Sequence, residues 1–131
     1  MELAYRRYCK AAAVAFVLAV VVAVPIKLLQ GRLGHDWAHS ALHLGSALPA
    51  AYAGWFARSA APARAFTWAV GIGYFALGVY GWFTRGLLLG TPFAIPLGVA
   101  DNLFHLLLSV PALVVVLLDL RSARSQVPER G

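Results

Sequence analysis

Four apolar runs, each roughly twenty residues long, constrain this chain more than any other feature of its sequence. They cover approximately residues 8–29, 37–57, 66–84 and 100–120. A helix of that length crosses a hydrocarbon core of about 30 Å. Lipid offers no partner to an open backbone amide or carbonyl, so such spans must be helical. The expected fold is all-α, an integral membrane four-helix bundle in residues 1–121, followed by a short polar cytoplasmic tail at 122–131. Composition points the same way. Only 12% of the residues are charged and 61% are hydrophobic. A soluble domain carries about 25% charged residues, so a soluble fold would lack the polar surface to cover its core.

The first run follows the basic stretch Arg6-Arg7-Tyr8-Cys9-Lys10 as a signal peptide would. Its length is that of a span rather than a short signal core, and Ala11 to Ala13 lie on the wrong side of it for cleavage. A retained first span is expected. Charge sets the orientation. Arg6, Arg7, Lys10, Arg58, Arg64, Arg121, Arg124 and Arg130 fall on one side, and Lys27, Arg32 and Arg85 on the other. That excess predicts both termini in the cytoplasm, with the connections 30–36 and 85–99 outside. The net charge of +6 and pI near 10.1 are therefore topology signals and not a nucleic-acid face, which needs Lys and Arg clustered on one soluble surface. Abundant Ala, Val, Gly and Arg with few Lys suggests a GC-rich bacterial source, and hence the bacterial cytoplasmic (inner) membrane.

Cys9 is the single cysteine, which excludes an internal disulfide and leaves a small apolar filler as its expected role. The connection Gly86 to Gly98 is apolar yet rich in helix breakers, so it should lie in the interface or fold back over the helix ends rather than extend into water. Two segments resemble each other: His43-Leu44 with Pro49-Ala50, and His105-Leu106 with Pro111-Ala112 at the same offset. They suggest a duplicated hairpin, a parallel repeat with His43 and His105 at equal depth. In the third run Gly71, Gly73, Gly78 and Gly81 leave a groove where another helix can approach, from this chain or from a second copy.

All four histidines sit at or just under the expected outer face. His35, His39 and His43 are spaced four apart on the second span, and Asp101 and His105 form a like pair on the fourth. Polar residues inside spans usually face the bundle interior and mark a functional site. Three uses fit. His39, His43, Asp101 and His105 are candidate ligands of a divalent transition metal. His43 and His105 are candidate axial ligands of haem b. The same groups suit a proton relay. Against these stands a purely structural role, with Asp36 and Asp101 capping helices and the imidazoles bonding between spans.

Asp101-Asn102-Leu103-Phe104-His105-Leu106 and the earlier Leu42-His43-Leu44 carry a resemblance. The chain resembles a bacterial family of small four-helix membrane proteins, a domain of unknown function with an Asn-Leu-x-His-Leu signature. It departs from that pattern in carrying Ser40 where the first asparagine would stand, and in the extra His35 and His39. The resemblance implies the fold and no activity, and it singles out His43 and His105.

No nucleophile with a base and orienter, phosphate loop or carboxylate pair is visible, so catalysis is not expected. The first functional expectation is a non-enzymatic membrane protein: a subunit or partner of a membrane assembly, or a homo-oligomer. The alternative is a haem- or metal-binding module for electron transfer or transport.

Overall fold

The computed structural model describes residues 1–32, 34 and 36–125, and these form a bundle of four helices. Helix α1 spans Glu2–Leu29, α2 Trp37–Ala51, α3 Ala61–Tyr80 and α4 Val99–Arg124. Two of them, α1 and α4, are long and apolar enough to cross a membrane. The helices pair as two hairpins, α1 with α2 and α3 with α4, and α1 also packs on α3.

Local chemistry sets the helix ends. α1 stops where Gly31 turns into the left-handed region at φ +67°. The Arg32 amide then donates to the Lys27 carbonyl at 2.8 Å and the Gly31 amide to Leu28 at 3.1 Å, the paired closure that glycine permits after a last helical turn. Pro49 lies inside α2, where its ring removes one backbone donor. Beyond it the helix widens into a π segment, Tyr52–Phe56, closed by the Ala57 amide on the Tyr52 carbonyl at 2.8 Å. The apolar pattern gave no sign of that widening. α4 continues to Arg124, so the first residues of the expected tail are helical; residues 126–131 lie outside the described residues.

The glycine groove of α3 is filled from within the chain. A Cβ on Gly71 would meet Leu113 and Ala112, one on Gly78 would meet Leu106, and one on Gly81 would run into the Asn102 side chain. All of those neighbours belong to α4. Gly73 faces open space.

The connection between α3 and α4 folds back on itself. Two short strands, β1 (Gly86–Leu87) and β2 (Ile95–Pro96), pair antiparallel with Gly86 opposite Pro96. Ala94 and Leu97 are buried, and the Phe93 ring lies 5.9 Å from that of Trp37 at the start of α2. The segment therefore packs over the end of the bundle. Leu88, Phe93 and Ile95 help close a cleft between α2 and α3.

At the opposite end the two hairpins are tied by polar contacts. The Tyr5 hydroxyl donates to Asp119 Oδ2 at 2.9 Å, and Arg64 Nη2 lies 2.6 Å from the same oxygen. Tyr8 donates to the Leu108 carbonyl at 3.0 Å. Cys9 is fully buried nearby, with Sγ 3.8 Å from Thr67 Oγ1. Tyr5→Phe removes a hydrogen bond to a carboxylate and should cost about 1.5–3 kcal/mol. It would be read as a lowered thermal midpoint in detergent, beside an unaffected Tyr80→Phe control at an exposed position. Equal midpoints for the two variants would show that this tie contributes nothing.

Candidate metal centre

Three of the four histidines meet in the middle of the bundle. His39 and His43 project from one face of α2, as their four-residue spacing requires, and His105 projects from α4. Their ring centroids lie 4.6 Å (His39–His43), 5.7 Å (His39–His105) and 5.8 Å (His43–His105) apart. One ligand atom from each can be chosen so that all lie within 4.8 Å of one another. His35 lies outside the described residues.

Aromatic rings form most of the surroundings. Phe16 of α1, Tyr74 of α3 and Phe104 of α4 wall the cluster, with Phe16 5.9 Å, Phe104 5.1 Å and Tyr74 6.4 Å from the His43 ring, and Tyr74 5.0 Å from that of His105. His39, His43 and His105 are all buried. Within that shell His39 Nε2, His43 Nε2 and His105 Nδ1 have no hydrogen-bond partner. Leaving such a group unmatched costs about 1–3 kcal/mol, and each of the three imidazoles carries at least one.

Carboxylates stand on one side only. Asp36 Oδ1 is 3.3 Å from His39 Nδ1, close but not aligned for a hydrogen bond, while Asp101 Oδ1 is 3.9 Å from the same nitrogen. Both acids sit at helix starts, and their roles differ. Asp101 accepts from the Gly98 amide at 3.0 Å and so closes the first turn of α4. Asp36 makes no capping bond; its other oxygen pairs with Lys27, which also donates to Ser40 Oγ at 3.3 Å. Capping accounts for Asp101 and leaves Asp36 free to orient His39.

Residues 55–118 match the family model of a domain of unknown function, DUF4383. The DUF4383 segment contains α3, the β1–β2 connection and most of α4, with Asn102 to Leu106 inside it. It carries His105 and the wall residues Tyr74 and Phe104, whereas His39, His43 and Asp36 precede it. The resemblance read from the sequence thus stands in its broad form, a domain of unknown function. No curated protein and no solved structure matches this chain.

Sequence reasoning missed the walls of the site. Tyr74 carried a faint signal, a hydroxyl in mid-span, and it is satisfied by Ser46 Oγ at 3.2 Å. Phe16 carried none, since a phenylalanine in an apolar run is unremarked until its neighbours are known. The Lys27–Asp36 pair joins residues on either side of a connection whose geometry the sequence did not specify.

Proposed function

We propose that this chain is a small non-enzymatic integral membrane protein that binds one divalent transition metal through His39, His43 and His105. The observation that carries the reading is the convergence of three buried imidazoles whose nitrogens lack partners. Metal–nitrogen bonds of about 2.0–2.1 Å put tetrahedral ligand atoms about 3.4 Å apart. Closing from 4.8 Å asks for small side-chain rotations and no movement of a helix. Imidazole donors beside a carboxylate suit zinc, copper, nickel or iron. Asp36, 3.3 Å from His39 Nδ1, needs only a small turn of the imidazole to become the outer partner that metal-bound histidines ordinarily have, leaving Nε2 for the ion. Three protein ligands leave a fourth position for water or a passing ligand.

Membrane placement is supported by the lengths and hydropathy of α1 and α4. It is also supported by outward side chains such as Val21, Val22, Leu107 and Leu117, which are more than two-fifths exposed, a surface that water does not tolerate over such an area. In this reading all four helices cross the inner membrane with both termini cytoplasmic, and the histidines lie near the outer face.

The site favours an ion over haem. His39, Phe104 and Tyr74 each lie within 6.4 Å of both the His43 and His105 rings. A macrocycle bisecting that pair would have to displace them. The partner-subunit reading has less support than the sequence lent it, because α4 fills most of the glycine groove of α3.

Metal analysis of detergent-purified protein tests the proposal. After loading with zinc or cobalt and exhaustive dialysis, one ion per chain is expected, with a four-coordinate cobalt spectrum. His43→Ala and His105→Ala should each lose it, and Asp36→Asn should weaken binding about 10–100-fold. Metal-free protein after offering zinc, cobalt, nickel and copper would overturn the reading, as would stoichiometric metal retained by the triple histidine variant. A Soret band on haem addition, lost in His43→Ala/His105→Ala, would replace it with the haem alternative.

A further inference from the structure

Helices α1 and α4 touch at the Tyr5–Asp119 end and stand apart at the other. The space between them is a crevice of about 810 Å³ that opens along the bundle surface and reaches His43 at its floor. Its apolar part is built by α1 in register. Ala15, Ala19 and Ala23 leave room, while Leu18, Val22 and Ile26 wall it at the same four-residue spacing. From Ala15 to Ile26 the helix rises about 16 Å, which is half of a hydrocarbon core of about 30 Å. The crevice thus has the depth of a single leaflet.

Its mouth has the opposite chemistry. Lys27, Arg32 and Arg85 line it together with Asp36 and Asp101. Lys27 is neutralised by Asp36. Asp101 faces the Gly98 amide and His39. Among the described residues no carboxylate pairs with Arg32 or Arg85, and the side-chain hydrogen bond of Arg32 is a long one, 3.5 Å to Gln30. Two arginines over an apolar slot of one-leaflet depth match an anion carried on an acyl chain.

We propose that this crevice is a binding site for one anionic phospholipid, one acyl chain along α1 between α1 and α4, the other in the surrounding bilayer, and its phosphate on Arg32 and Arg85. The inference rests on the membrane placement proposed above and is independent of the metal. A lipid seated there lies over His43 and closes the crevice-side approach to the three imidazoles.

Native mass spectrometry of the full chain in detergent tests it, with phosphatidylglycerol and phosphatidylcholine of identical tails offered at equal concentration. About a thirtyfold preference for phosphatidylglycerol is expected, roughly fivefold from each of the two arginines near the surface. Arg32→Gln/Arg85→Gln should abolish the preference, and Arg58→Gln/Arg124→Gln should keep it. Ala19→Phe fills the slot and should remove the bound lipid while leaving both arginines in place. Equal binding of the two lipids, or an unchanged preference in either test variant, would overturn the proposal. So would competition by inorganic phosphate alone, or displacement by oleate at equal concentration. Extraction of the protein from membranes by alkaline carbonate would instead sink the membrane placement. Carbonate-resistant protein without the lipid preference would sink only the lipid site.

Discussion

Gly78→Leu is expected to part α3 from α4 and to lower the thermal midpoint of the detergent-solubilised protein more than any substitution on the outer faces. A Cβ at position 78 would lie 2.9 Å from the Leu106 side chain and 3.2 Å from the Asn102 carbonyl oxygen. The leucine can turn aside; the carbonyl belongs to the α4 backbone and cannot. Forcing side chains into a filled interface costs about 1–3 kcal/mol and sometimes more. The upper end applies here, because close backbone approach is what holds helices together in an apolar solvent. His105 follows Asn102 by three residues on α4, so its imidazole moves with the helix and metal content should fall as well. Gly73→Leu is the matched control: its Cβ meets nothing within 4 Å, and its effect should stay within about 0.5 kcal/mol. Equal midpoints for the two variants would show that α3 and α4 do not meet through this groove.

Phe16→Ala is expected to have the second largest effect and to join stability to the site. Phe16 is fully buried and is the contribution of α1 to the ring cluster, 5.9 Å from His43, 5.4 Å from Tyr74 and 6.1 Å from Phe104. Truncating a buried phenylalanine costs roughly 3–5 kcal/mol in soluble cores. The lower end applies in a membrane, where an unpacked ring is still in hydrocarbon and the loss is one of packing alone. The void left behind borders His43, so its imidazole gains rotational freedom. Metal affinity should fall even though no ligand is removed. Phe16→Leu, which keeps most of the volume, should recover both properties. A destabilised Phe16→Ala protein with unchanged metal affinity would show that the rings hold the bundle and do not hold the imidazoles.

The four helices were legible because lipid-length apolar runs leave the backbone one solution, and because short connections force neighbouring runs to pair. His39 with His43 was legible as well, since four-residue spacing fixes a shared face whatever the helix packs against. The meeting of that face with His105 was not. It depends on how α2 and α4 rotate about their axes, and three-sided burial among Phe16, Tyr74 and Phe104 decides that rotation. Asp36 and Asp101 read alike in the sequence because both precede helices; only the distances separate a turn-closing acid from one that faces an imidazole. The glycines of α3 announced a close approach without naming the partner, and α4 proves to be it for Gly71, Gly78 and Gly81. The strand pair at 86–96 was hidden because helix breakers report only that a helix ends.

The bond between Tyr5 and Asp119 joins residues 114 positions apart, so the contact waits on the synthesis of α4. At ribosomal rates of about 5–20 residues per second, Asp119 follows Tyr5 by roughly 6–23 s. Until His105 follows, the Phe16 face of α1 lacks its α4 neighbour and His39 and His43 face no third imidazole. On the proposed function, an ion that needs all three imidazoles can be captured only once α4 has been made. Loading of such a centre would be a late event, timed by the arrival of α4, and the α1–α2 hairpin alone would withhold no metal.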